Sequence, residues 1–350
     1  MTGKRKILPS AKTLKPCIAG DIGTPDVVIV IPARNEAARI TRCLNAIASQ
    51  QSCDHLAIAV ILVVNNTDDE TVRIAHHGKP ACLALCTISY DDRRGGNVGL
   101  ARRLGFEFAF AQAPRCETLL TTDADCEVAD DWVSTAVSGL RRFDALCGQV
   151  QLITLEARAL PPVFFERGGI EHDYLQVSME LCHLLAPDPT NPFPHHGQCA
   201  GANLAFRASA YGAIGGFHPI PLGEDRDITR RLKLDGYRVR HSEKLLVNAS
   251  CRLSGRATGG MADAIRTRIG TANPSLDSAL FSYRDTVALY QREHTFAPVW
   301  PPAAQKLIPL AADEASRDFS KLQDLVCRLR DEPSVAARHT VMRSLALAAG

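Results

Sequence analysis

Hydrophobic and polar positions set the first picture of the chain. Val27 to Ile31 is a continuous β-branched run ended by Pro32, apolar on both faces, which predicts a buried parallel strand. Ala37 to Gln50 carries Ile40, Leu44 and Ile47 at helical spacing. Ile58 to Val64 is a second buried strand, closed by the polar cluster Asn65-Asn66-Thr67-Asp68-Asp69. Glu70 to His76 reads as helix and Ala81 to Ile88 as a third strand. After the break at Gly95-Gly96-Asn97, Val98 to Gln112 reads as an amphipathic helix. Thr118 to Thr122 is a short strand running into Asp123-Ala124-Asp125. This alternation predicts an α/β fold with a mostly parallel central sheet flanked by helices.

The second half is less regular. Pro161-Pro162 and Pro187 to Pro194 predict long loops, and residues 156–196 read as loops that set specificity. Gly201 to Phe206 reads as a strand, Asp227 to Asp235 as a helix and Arg238 to His241 as a strand. Beyond Gly259-Gly260 the pattern turns helical, with Phe319, Leu322, Val326 and Leu329 on one face. Residues 1–25 read as a flexible basic tail. The longest apolar run, Ala57 to Val64, is far short of the roughly 20 residues that span a bilayer. No signal peptide is visible, so a cytoplasmic location is expected, with peripheral membrane contact left open.

Charge and composition narrow the function. With 40 Lys+Arg against 38 Asp+Glu, the net charge of +2 argues against a nucleic-acid-coating protein, and 6% aromatic residues argue against base stacking. The 12 Cys are scattered without a CxxC pair, so they read as small buried hydrophobes in a reducing compartment.

Ligands of open parallel sheets bind beyond the carboxyl ends of the strands. Arg34-Asn35-Glu36, Asn65-Asn66 and Asp123/Asp125 all fall there, which points to one shared site. Alternate carboxylates at a strand end repel, and a hard cation such as Mg2+ or Mn2+ neutralises them while sharing a substrate phosphate. The plain alternative is a solvated turn with Asp125 capping a helix. Asp225 or Glu224, after a Gly/Pro turn, offers a general base, against simple complementarity to a helix N-terminus. Arg93, Arg94, Arg102 and Arg103 could hold a diphosphate or form a solvated helix face. His195-His196 read as loop filling, and His241 as a further candidate metal ligand.

Together these segments resemble a family 2 glycosyltransferase, a soluble non-processive member, over about residues 26–262. Val28 to Glu36 looks like the family's opening strand, and Val63 to Asp69 like its second nucleotide-contacting turn. Thr122-Asp123-Ala124-Asp125 looks like the DxD motif. Gly201 to Arg207 with Gly215-Gly216-Phe217 looks like the acceptor-side strand and turn, and Gly223-Glu224-Asp225 like the base motif. Ser254-Gly255-Arg256 and Gly259-Gly260 look like a late segment of some soluble members.

The resemblance implies the GT-A fold, a Rossmann-like nucleotide-diphospho-sugar transferase. Its nucleotide-binding half would be 26–126, its acceptor half 127–262, and 263–350 a helical extension. That extension could cover the site, form a homodimer contact or touch a membrane. The resemblance also implies a metal-dependent, inverting transfer of one sugar from a nucleotide diphosphosugar to a hydroxyl acceptor (saccharide, lipid or small metabolite). Asp125 with Asp123 would hold the metal. Pro32, Arg34, Asn35, Glu36, Asn65, Asn66, Arg94 and Asp123 would contact the donor, and Asp225 with Glu224 would serve catalysis. Asn65 stands where many members carry an acidic base reader, and no late Gln-x-x-Arg-Trp motif is present. The alternatives are a non-catalytic nucleotide-sugar-binding or scaffold protein of the same fold, and a sugar-phosphate nucleotidyltransferase.

Overall fold

The computed structural model describes residues 17–51, 53, 55–92, 97–255, 259–293, 300–302 and 309–348. Arg93, Arg94, Gly95, Gly96 and Arg256 lie outside these residues. The described chain forms two compact units. The first comprises residues up to Thr154 together with Gln198–Cys251. The second comprises Leu155–Gly197 and most of the chain from Met261 onward.

The first unit is built on one nine-stranded sheet. In chain order its strands are β1 (Cys17–Ala19), β2 (Val27–Ala33), β3 (Ile58–Asn65), β4 (Ala84–Tyr90), β5 (Thr118–Thr121), β6 (Cys126–Val128), β7 (Ala145–Leu152), β8 (Leu204–Arg207) and β9 (Val239–Ala249). The spatial order is β1-β4-β3-β2-β5-β8-β7-β9-β6. β2, β3, β4 and β5 are mutually parallel, β7 and β9 run with them, and β1, β6 and β8 run against them. The expected α/β, mostly parallel sheet is therefore observed. β1 lies within the stretch 1–25 expected as a flexible tail, yet it pairs with β4 through Cys17↔Ser89, which corrects that expectation for residues 17–19.

The unbroken apolar run of β2 is explained by burial on both sides. Val28 and Val30 enter one core, while Val27, Ile29 and Ile31 enter the other. Helix α1 (Ile40–Ala48) covers the second face with Ile40, Cys43, Leu44 and Ile47. After α2 (Thr71–Gly78), helix α3 (Val98–Gln112) covers the first face. Asn97 caps α3, its side chain accepting from the Leu100 N–H at 2.6 Å. Gly105 lets α3 close on the sheet, since a Cβ there would stand 2.5 Å from Val30 Cγ1.

Between β6 and β7 lies α4 (Trp132–Leu140), and between β7 and β8 come a short α5 (Thr154–Ala157) and the long α6 (Pro162–Leu185). The 24 residues of α6 correct the expected loop over 156–196. Pro161-Pro162 is a helix start, because Pro at the first turn loses no needed N–H. In the first unit, α7 (Ala208–Ala213) follows β8 and α8 (Glu224–Leu234) precedes β9. The second unit adds α9 (Met261–Gly270), α10 (Tyr283–Glu293), α11 (Ala312–Arg330) and α12 (Val335–Ala348). Leu322, Val326 and Leu329 are buried there with Leu181, Leu184 and Leu185 of α6, and Phe319 packs against the same cluster. Among the described residues no helix is long and apolar enough to cross a membrane.

Register places the chemistry. β5 ends at Thr121, opposite Val30, while β2 continues to Ala33. β8 enters antiparallel with Leu204 opposite Thr121, so residues 201–203 lie beside the end of β5. Asn203 is fully buried there. Its Oδ1 accepts from Trp132 Nε1 at 2.8 Å, and its Nδ2 donates to the carbonyls of Gln149 and Leu245, both at 2.9 Å. One amide thus satisfies partners on α4, β7 and β9, each of which would be costly to strand in a dry core.

Candidate active site

The carboxyl ends of three neighbouring parallel strands, β3, β2 and β5, carry Asn65-Asn66, Arg34-Asn35-Glu36 and Asp123. The structure therefore brings the three polar clusters read from the sequence to one sheet edge. Asn35 and Asn66 both sit in the left-handed region, at φ 54° and 47°. Asn tolerates that backbone far better than branched residues do.

Their side chains knit the loops together. Asn35 Oδ1 accepts from the Asp68 N–H at 3.0 Å, joining the turn after β2 to the turn after β3. Asn66 Oδ1 accepts from the Asp92 N–H at 2.7 Å and its Nδ2 donates to the Asp92 carbonyl at 3.0 Å, joining β3 to the end of β4. Glu36 is buried, with its N–H donated to Thr71 Oγ1 at 2.8 Å, and Asn65 is buried as the last residue of β3. Pro32, in β2, and Arg34 are half-buried. Arg94 lies outside the described residues.

The Asp pair does not extend β5. Asp123 to Cys126 is a turn closed by the Cys126 N–H to the Asp123 carbonyl at 3.1 Å. Carboxylate oxygens of Asp123 and Asp125 and the Cys126 sulfur lie within 4.8 Å of one another. Burial, then the charges of Asp123 and Asp125, push the Cys126 thiol well up, so it stays protonated. The anionic donors in this group are oxygens, which suit a hard cation such as Mg2+ or Mn2+. Beside them the fully buried Thr122 has an Oγ1 without a hydrogen-bond partner among the described residues.

A buried arginine forms the centre of the site. Arg102, on α3, is 3% exposed and does not face solvent as a basic helix stripe would. Its Nη2 donates to Asp123 Oδ1 at 2.6 Å, its Nη1 pairs with Glu224 Oε1, and its Nε donates to Thr121 Oγ1 at 3.3 Å. Burial disfavours the guanidinium charge, but Asp123, Glu224 and Asp225 together hold its pKa above the ordinary value. Gly201 lets the backbone pass over this group, since a Cβ there would lie 2.4 Å from Arg102 Cζ. Arg103 instead donates to the Gly215 and Phe217 carbonyls at 3.0 and 2.7 Å, bracing the Gly-Gly-Phe turn.

Glu224 and Asp225 occupy the first turn of α8, whose N-terminus favours negative charge. Asp225 is half-buried, and its Oδ2 accepts from the Gly201 N–H at 2.9 Å. Glu224 is buried, and burial pushes its carboxyl up to about 7 against the pull of Arg102, with Asp225 adding to the rise. A carboxyl raised on folding binds its proton more tightly in the native state. Its contribution to stability is then complete below the ordinary value of 4.5 and is lost as pH rises through about 7. Glu224→Gln is expected to flatten the fall in stability between those pH values. Urea unfolding of both proteins across pH 4.5–8 checks this, and parallel curves would refute it.

His241, a candidate third ligand from sequence, does not join the aspartates. It is buried beside Cys147 and Cys199. His195 Nδ1 accepts from the Gly197 N–H at 3.1 Å, in keeping with loop filling. Sequence reasoning missed the roles of Arg102, Thr122 and Asn203 as site and scaffold residues. The only sequence sign of Arg102 was its place on the otherwise apolar face of α3.

Several known proteins are similar to this chain. A model of glycosyl transferase family 2 matches residues 28–181. The glycosyltransferase AglE of Haloferax volcanii is 30% identical over 118 residues, 33% of this chain. The match spans about a third (35%) of that relative's length. A mannosyltransferase from Pyrobaculum calidifontis, solved with GDP-Man and Mn2+, is 20% identical, with 94% of this chain and 82% of that one covered and a TM-score of 0.49. Residues 1–349 of TarS from S. aureus, solved with UDP-GlcNAc, are 16% identical, with 92% of each chain covered and a TM-score of 0.48. The family resemblance carried by the sequence motifs is thus matched by that family model over residues 28–181.

Proposed function

We propose that the protein is a metal-dependent, inverting glycosyltransferase that moves a single sugar from a nucleotide diphosphosugar to a hydroxyl acceptor. The observation that carries this reading is the double pairing of buried Arg102. It joins Asp123, at the donor edge of the sheet, to Glu224, the neighbour of Asp225. Two halves of a displacement site, far apart in sequence, meet on one guanidinium.

The turns built by Asn35, Glu36, Asn65 and Asn66, with Pro32 and Arg34, form the nucleoside side of the site. Arg94 keeps its assignment to the diphosphate on sequence grounds. Asp123 and Asp125 supply the hard oxygens for Mg2+ or Mn2+, which when bound would offset charge on the departing diphosphate. Asp225 accepts the acceptor hydroxyl proton as that oxygen bonds the anomeric carbon and the bond to the diphosphate breaks, releasing the nucleoside diphosphate. Gly201 orients the Asp225 carboxylate from below. Glu224 fixes Arg102, and Arg102 fixes Asp123.

Calorimetric titration with UDP, GDP and their sugar conjugates, with and without Mn2+, tests the donor half. One nucleotide is expected to bind in a metal-dependent manner, with the metal-dependent part of the affinity lost in Asp125→Ala. Binding that ignores both the metal and this substitution would refute the assignment of the aspartates. No binding under any condition would favour the scaffold alternative.

A further inference from the structure

Next to α8, where Cys147 Sγ lies 3.7 Å from Thr229 Oγ1, is a second cluster of side chains of metal-binding type that the transfer reaction does not use. Cys147 comes from β7, Cys199 from the segment before Gly201, and His241 from β9. All three are buried, and neither cysteine is in a disulfide. The two sulfurs and a ring nitrogen of His241 lie within 4.8 Å of one another. Two thiolates bound to one tetrahedral zinc, at Zn–S distances of about 2.3 Å, stand about 3.8 Å apart, so this spacing suits a shared ion.

The tautomer of the histidine follows from its backbone partner. Its Nδ1 lies 3.1 Å from the Gln198 carbonyl, which accepts the ring proton and leaves a lone pair on Nε2. That lone pair already faces a positive charge, with Lys233 Nζ 3.2 Å away. Lys233 is half-buried on α8, so its long stem can withdraw towards solvent.

We propose that Cys147, Cys199 and His241 form a soft-metal site that binds Zn2+, distinct from the oxygen-donor pair Asp123/Asp125. Each thiol gives its proton to solvent as its sulfur bonds the ion, and three protein ligands leave one tetrahedral position for water. Sulfur and imidazole select a borderline-soft ion here, whereas the aspartate oxygens select Mg2+ or Mn2+. The bound ion would tie β7, β9 and the 198–201 segment together. That segment's Gly201 N–H holds Asp225, so the site supports the base without touching substrate.

The test uses the full chain, reduced with a phosphine, stripped with a chelator and reloaded with Zn2+ or Co2+ alone. After gel filtration, metal content is expected to show one zinc per chain, retained in the presence of excess Mg2+. The Co2+ form should show thiolate-to-metal charge-transfer absorption in the near ultraviolet. Cys147→Ser and Cys199→Ser should each lose both signals while far-ultraviolet circular dichroism stays unchanged. Asp123→Asn/Asp125→Asn should keep them. Lys233→Met, which removes the competing ammonium, should tighten zinc binding by about tenfold or more, as the loss of a like charge at close range predicts. Zinc retained equally by the two serine variants, or absent from the wild type, would overturn the proposal. So would a Co2+ spectrum without thiolate bands. None of these readouts depends on sugar transfer, so they stand apart from the glycosyltransferase reading.

Discussion

Asp225→Asn is expected to lower the transfer rate by about 10²–10⁴-fold, the usual contribution of a positioned general base, with donor binding unchanged. The substitution keeps size and one oxygen, so the Gly201 N–H, now 2.9 Å from Asp225 Oδ2, keeps an acceptor. The Arg226 N–H, 2.8 Å from Asp225 Oδ1, loses its acceptor, so the substitution removes the capacity to take a proton at the cost of one local hydrogen bond. A rate assay with saturating donor, paired with donor calorimetry, separates the two roles. Undiminished transfer would remove Asp225 as the base. Loss of donor affinity together with rate would instead make it part of the donor pocket.

The second large effect is on stability. Arg102→Met is expected to destabilise the first unit by about 3 kcal/mol at pH 8, as when one partner of a buried ion pair is removed. It strands Glu224, which is 3% exposed, and takes one partner from Asp123. The penalty should shrink at pH 5.5. Glu224, already raised to about 7, will then be protonated and leave no unpaired buried charge. Denaturant unfolding at the two pH values checks both sign and size. A penalty independent of pH would show that the loss comes from packing of the arginine stem alone.

These two residues also mark where the sequence was legible and where it was not. The β2 run, the 58–65 strand and the 98–112 helix are local patterns whose periodicity survives tertiary packing, and they appear at or within two residues of their expected limits. The acidic motifs were legible because strand ends in parallel sheets carry ligands. Arg102 was not. Its acceptors come from residues 121, 123 and 224, and nothing local tells a guanidinium that finds carboxylates from one that finds water. The helix 162–185 was hidden for a different reason. A double proline that opens a helix looks like one that breaks it until the chain beyond is seen to be apolar enough to pack. The Cys147, Cys199 and His241 cluster was hidden by spacing, since strand pairing assembles it from positions that match no linear metal motif.

Gly201 gives the site a built-in reporter. Its N–H, donated to Asp225, has no side chain to shield it and no titratable group of its own. In an isotope-labelled sample this amide resonance will therefore report its charged acceptor, and in Asp225→Asn it should move upfield as the hydrogen bond stops being charge-assisted. The position of one backbone signal would then show whether the proposed base keeps its hold on Gly201 in the resting protein. Recording it again with nucleotide bound would show how far the donor disturbs that bond before any acceptor arrives.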